Sequence, residues 1–176
     1  MNDDIQTVVE IVILLFFVGL MFIPFALFLV YVFYQNSKRK KIRERTRQAF
    51  AQLIGDNHTV PVRYCSERHF KSWIKIFPWE GTGLIVPGNG VVTFVGEKLN
   101  GVSLNLQFSQ GDSTVSWLGK CPFPNGAVSF FAFDTRGEKH YFTSETGVFV
   151  FGSHKSTKAA FDESQRSFAT SGVHVG

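Results

Sequence analysis

Apolar and polar residues alternate along this chain with three successive periods. Residues 11–34 carry no charge at all. At a rise of about 1.5 Å per residue such a run covers the roughly 30 Å hydrocarbon core of a bilayer, where the backbone must satisfy its own hydrogen bonds, so it predicts a transmembrane helix. Gly19 and Pro24 interrupt it, and Pro24 releases the carbonyl four residues earlier, which favours a kink. From 37 to 54 the period stays helical but becomes amphipathic. Ile42, Ala49, Phe50 and Leu53 share one face, basic residues occupy the others, and Gly55-Asp56-Asn57 ends the segment. This second helix either continues the span or lies beside it, with its apolar face toward headgroups or toward the domain that follows.

From about residue 59 the period becomes two. Val102-Ser103-Leu104-Asn105-Leu106-Gln107-Phe108 alternates without a break, as a half-buried strand does. The turn residues Gln110-Gly111-Asp112-Ser113 join it to a strand over 114–118. Residues 130–135 and 138–143 form a second hairpin around Arg136-Gly137, where glycine supplies the positive φ of a tight turn. Further strands are expected at 60–65, 82–86 and 91–95, with Pro87-Gly88-Asn89-Gly90 between the last two, and a short one at 149–151. Turn signals recur about every ten residues, which predicts a small antiparallel barrel or sandwich. After it, Ser156 or Thr157 can cap a helix reaching about Phe168. Phe161 and Phe168 share its inner face and can close one end of a barrel.

Roughly seven short antiparallel strands followed by one C-terminal helix resemble the pleckstrin-homology and GRAM-type barrels, over about residues 79–168. The likeness is carried chiefly by Phe133-Asp134-Thr135-Arg136-Gly137-Glu138-Lys139-His140-Tyr141-Phe142-Thr143-Ser144, which looks like the last hairpin of such barrels. The resemblance implies an adaptor or membrane-surface module rather than an enzyme. Phosphoinositide-binding members of that family carry basic residues in the first interstrand loop. Here Pro87-Gly88-Asn89-Gly90 has none; a loop counted from the strand at 60 has Lys71 and Lys75, set among Trp73, Ile74 and Ile76.

Charge alters the picture at one place. The net charge is +4, but Lys38, Arg39, Lys40, Lys41, Arg43, Arg45 and Arg47 form a collar directly after the span, opposed only by Glu44. The remainder beyond 47 is nearly neutral, so the basic balance belongs to the anchor and does not indicate nucleic acid. The collar, with Tyr31 and Tyr34 at the exit of the span, is expected to meet anionic headgroups. Asp3, Asp4 and Glu10 precede the span without any Lys or Arg, which orients residues 1–10 outward and the rest toward the cytoplasm. A secretory leader would instead place its basic region before a shorter apolar run.

Candidate chemistry is sparse. The five histidines show no i, i+4 metal pairing, the glycine-rich turns do not extend into phosphate or dinucleotide loops, and no nucleophile elbow occurs. No catalytic residue, cofactor or metal is expected. Aromatic surfaces remain. Phe16, Phe17, Gly19, Phe22, Pro24, Phe25 and Phe28 in the span, and Trp73, Phe77 and Trp79 in the soluble part, are the candidate partner interface. Lipid-facing bulk in the span and core packing in the barrel are the alternative uses of these residues.

The expectation is therefore a mainly β protein: an outward N-terminus over 1–10, a transmembrane helix over 11–34, a basic amphipathic helix over 35–55, a PH-like β domain with its C-terminal helix over 56–169, and a tail over 170–176. Its expected role is a single-span, non-enzymatic accessory subunit of a membrane complex. Its partners would be membrane lipids and other membrane-protein subunits, and the alternative is a lipid- or small-ligand-binding surface module. The Asn57-His58-Thr59 sequon is read as chance. Cytoplasmic thiols stay reduced, so Cys65 and Cys121 should both be recovered as free thiols after denaturation under alkylating conditions. A disulfide between them would reverse the topology.

Overall fold

A computed structural model of the chain describes residues 2–55, 58–122, 124–146 and 153–169. The strand expected at 149–151 and the tail at 170–176 lie outside them. Two compact units divide the chain, Met1–Ser37 and Lys38–Gly176. A single helix, α1 (Asn2–Ala49), runs through Pro24 and continues past the apolar run, so the amphipathic segment extends the span helix. It is long and apolar enough to cross a membrane. Its large apolar side chains between Ile5 and Phe28 are exposed.

The second unit takes in the end of α1 from Lys38, a one-turn helix α2 (Ala51–Ile54), and seven strands. These are β1 (Val60–Ser66), β2 (Gly81–Pro87), β3 (Val91–Lys98), β4 (Ser103–Ser109), β5 (Ser113–Lys120), β6 (Ser129–Thr135) and β7 (Glu138–Ser144). A short helix, α3 (Glu67–Lys71), follows β1, and α4 (His154–Ala169) follows β7. All strand pairs are antiparallel. The order is β4-β3-β2-β1-β7-β6-β5, so two meanders join through β1 and β7 in one curled half-barrel. The edge strands β4 and β5 turn Ser103, Asn105, Gln107, Thr114 and Ser116 to water, which blunts edge-to-edge pairing.

Alternation explains why the central strands are buried on both faces. Val62, Tyr64, Ile85, Val92, Phe94, Phe108, Phe131, Phe133 and Phe142 point inward, where Ala160, Phe161 and Phe168 of α4 cover them. Phe108 stacks on Phe133 with centroids 4.2 Å apart, and Phe168 meets Phe133 edge-on at 5.8 Å. The outward residues form two further clusters. Leu84, Val86 and Val95 lie under Phe50 and Ile54, while Cys65, Val128, Phe130, Ala132 and Tyr141 lie with Cys121 and Trp79 under Phe70 and Phe77.

Three local details differ from the pattern-based expectation. Ser153 begins α4: its hydroxyl accepts from the Ser156 amide at 3.2 Å. Thr157, expected as a cap, is instead fully buried and accepts from the Ser144 amide at 3.1 Å, tying α4 to the end of β7. In the β6–β7 turn Arg136 as well as Gly137 has positive φ, at 53° and 85°, the pair of left-handed residues that matches strand twist.

Gly83 and Gly96 sit opposite each other in the β2–β3 register, with the Phe94 ring against both. A Cβ on Gly83 would lie 2.2 Å from the Val95 carbonyl oxygen and 2.6 Å from the Gly96 Cα, so the strands would have to part. Gly83→Ala is expected to destabilise the β unit by about 3 kcal/mol, the upper part of the overpacking range. Gly111→Ala, in an open turn with nothing within 4 Å, should stay within about 0.5 kcal/mol of the parent in denaturant titration.

Candidate functional site

The basic helix end meets the sheet through an unexpected set of side chains. The buried stripe runs Arg39, Ile42, Thr46, then half-buried Phe50 and buried Ile54. Ala49 and Leu53, expected on the apolar face, are exposed. Phe50 leaves helical geometry at φ −108° and ψ 22°, and beyond it Ile54 is buried while Leu53 turns outward.

Glu145, the residue after β7, gathers three arginines. Its Oε1 lies 3.5 Å from Arg39 Nε, and its Oε2 lies 3.5 Å from Arg43 Nη1 and 3.3 Å from Arg63 Nε. The Glu145 amide donates to the Pro61 carbonyl at 3.0 Å, which fixes the backbone from which the carboxylate projects. Thr82 Oγ1 stands 3.3 Å from Oε2 and 3.2 Å from the Val62 carbonyl. The Trp79 ring completes the site, with Arg63 Cζ 4.1 Å and Arg39 Cζ 5.2 Å from its centroid. A desolvated indole face attracts guanidinium groups strongly. Arg63 is fully buried and Arg39 is only 3 % exposed. Burial lowers the Arg39 pKa to about 10 against the opposing pull of Glu145, and burial lowers that of Arg63 as well. Arg39, still well above neutrality, keeps its charge.

The collar is thereby divided. Arg39 and Arg43, expected as lipid contacts, are drawn to Glu145 because a buried carboxylate offers a partner that headgroups cannot displace. Lys38 Nζ donates to the Leu99 carbonyl at 2.7 Å. Lys40, Lys41, Arg45 and Arg47 remain exposed, Lys40 3.9 Å from Glu44 and Arg47 3.4 Å from the Thr59 hydroxyl. Lys40, Arg43 and Arg47 also border a groove closed by Pro61 and Leu84. Tyr31, Tyr34, Phe16, Phe17, Phe22, Phe25 and Phe28 are exposed on the first unit, and Gly19 has open space around it.

The β1–β2 connection holds the other named aromatics, and it separates them. Trp79 is only 2 % exposed, so its place is in the arginine site rather than on a partner-facing surface; Phe77 is half-buried and stacks on it at 5.5 Å. Trp73, by contrast, is 73 % exposed, and so are Ile74 at 91 % and Ile76 at 75 %. The loop bearing them is stitched down. Lys75 Nζ donates to the carbonyls of His69 and Phe70 and to Asn125 Oδ1 at 3.0, 2.9 and 2.5 Å, and burial lowers its pKa. His69 Nε2 lies 3.0 Å from the Phe77 carbonyl, and Phe70 stacks on Tyr141 at 3.9 Å.

The remaining titratable groups are arranged for packing. Cys65 and Cys121 are free, buried thiols; burial pushes Cys65 up to about 12 and raises Cys121, which leaves both protonated and unreactive. His140 Nδ1 lies 3.1 Å from the buried Tyr64 hydroxyl, and burial lowers its pKa. Among the described residues, no three His, Cys, Asp or Glu side chains stand close enough to hold a metal ion. No family model matches this chain, and neither a curated protein nor a solved structure does.

Two outcomes follow from this chemistry. Glu145→Gln leaves three guanidinium groups facing a neutral amide in a desolvated site, and should destabilise the β unit by about 3–5 kcal/mol in denaturant titration followed by tryptophan emission. His140 is neutral when folded and has a pKa below its ordinary 6.5. As pH falls below 6.5 the unfolded chain takes up a proton that the folded chain refuses, so stability declines until the lowered folded value is passed. His140→Gln should flatten that part of the stability–pH curve and leave the region above 6.5 unchanged in slope.

Proposed function

We propose that this chain is a single-span, membrane-anchored interaction protein without enzymatic activity, an accessory or structural subunit of a larger membrane complex. Its β unit would be a PH-like module held at the cytoplasmic face. The observation that carries this reading is the way the β unit begins. Only three residues separate the last apolar residue, Tyr34, from Lys38, and the residues from Lys38 onward are part of the β unit's own packing through Arg39, Ile42 and Thr46. A domain whose chain begins four residues after an apolar span is tethered close to the membrane that holds the span. The strand order, the half-barrel and the capping α4 support the PH-like reading. The orientation rests on the collar and on the acidic residues before the span.

The groups described above are used in packing: thiols protonated, His140 neutral, and Arg63 and Glu145 committed to each other. That argues for binding rather than turnover. A lipid- or small-ligand-binding role is the second reading, favoured by the exposed Trp73, Ile74 and Ile76. Because Phe94, Phe108, Phe131, Phe133 and Phe142 fill the inner face of the half-barrel, such a contact would fall on the outside of the domain.

Extraction of the tagged full chain in mild detergent should return a stoichiometric membrane-protein partner. Recovery should fall when Phe16, Phe22 and Phe25 are replaced by leucine, which keeps the span apolar while removing the rings. A monodisperse chain without a partner across several detergents would count against the subunit role.

A further inference from the structure

The loop over residues 72–77 has its polarity reversed. In water a surface loop turns its lysine out and its isoleucines in, because each buried branched aliphatic side chain is stabilised by about 1.5–3 kcal/mol. Here the half-buried Lys75 ammonium is turned in and donates to three oxygens, whereas Trp73, Ile74 and Ile76 project outward around it. The arrangement is braced from beneath by His69, by Phe70 on Tyr141 and by Phe77 on Trp79. The exposed apolar tip is thus a built feature of the fold.

Its position in the β unit identifies what covers it. Ile74 and Ile76 border a depression whose opposite wall includes Lys98, Leu99 and Asn100. The Leu99 carbonyl at that wall is the acceptor for Lys38 Nζ. Lys38 is also the residue at which the β unit begins, four residues after Tyr34, a reach of at most about 14 Å of chain. The apolar tip and Lys38, where the β unit begins, are therefore at the same end of that unit. Lys71, two residues before Trp73 and paired with Glu67, and Lys98, in the opposite wall and 3.2 Å from Glu80, lie near the tip. Tryptophan and branched aliphatics beside lysines suit the boundary between acyl chains and acidic headgroups.

We infer that Trp73, Ile74 and Ile76 form a second membrane contact, a wedge that enters a lipid leaflet and docks the β unit on its surface. This rests on the membrane-anchor reading above. It makes the domain's attachment two-point, span and wedge.

The test uses the full chain reconstituted in vesicles of phosphatidylcholine and phosphatidylglycerol, with ordinary or brominated acyl chains. The three tryptophans of the protein, Trp73, Trp79 and Trp117, all lie outside the span, so bromine reads the domain alone. Emission should be quenched in brominated vesicles, and Trp73→Phe should remove the quenched component. Ile74→Asp combined with Ile76→Asp should abolish quenching while the Trp79 emission of the folded domain is kept. Equal emission in both vesicle types, from chain that resists alkaline carbonate extraction, would overturn the wedge and leave the anchor standing. A blue-shifted Trp73 without bromine quenching would assign the tip to a protein surface, a second copy included, and would also overturn it. Release of the chain by carbonate would instead remove the anchor reading and the wedge with it.

Discussion

Glu145 is ion-paired with three arginines at a place from which water is almost excluded, and the β unit is organised around that fact. Arg39 and Arg43 come from the helix end, Arg63 from the central strand, and the carboxylate from the residue that follows the last strand. Each element alone could slide or rotate on the sheet, since aliphatic contacts such as Ile54 on Leu84 are non-directional. A buried ionic cluster is directional and is strongly destabilised when one member is missing, because the remaining charges are left buried and uncompensated. Trp79 makes the concentration of positive charge tolerable by offering its ring face to two guanidinium groups.

The same cluster decides how the basic collar is used. Seven consecutive-looking cations next to a span read as one lipid-facing band, yet a helix turns 100° per residue, and the turn presents Arg39 and Arg43 to the sheet. Lys40, Lys41, Arg45 and Arg47 are left for the surroundings. The β1–β2 connection shows a related division: Trp79 closes the arginine site, Phe77 stacks upon it, and Trp73, Ile74 and Ile76 are turned outward. Both divisions arise from outer-face packing, which is possible because the central strands of the half-barrel are apolar on both sides.

Most of the strands and helices were legible in the chain. The period-two runs of Val102 to Phe108 and of the Phe133 hairpin mark strands because a half-buried strand has one wet face. The strands around Leu84 and Val95, buried on both faces, show no alternation and were found from their turns. Helix ends were less legible. Ser153, Ser156 and Thr157 are chemically similar candidates for a cap, and the choice was made by Thr157's contacts with Ser144 and Thr143 from β7. The break at Phe50 has no glycine or proline to announce it. Nothing local marks Glu145, a single acid after a strand, as the centre of a charge cluster, since its partners are over eighty residues away and meet it only through the β1–β7 pairing.

What the amino-acid order determined by itself was the sequence of elements: an uncharged helix long enough for a bilayer, a basic flank, a succession of antiparallel strands and a closing helix. These follow from short-range rules, because periodicity, turn residues and runs of apolar length act within a few residues of one another. Tertiary structure alone decided which cations are buried and which are free to meet a partner, that Trp79 is interior while Trp73 is not, and that Lys75 is turned in with the isoleucines out. Those outcomes depend on desolvation and on hydrogen-bond partners supplied from distant strands, and no local pattern encodes where a chain will find them.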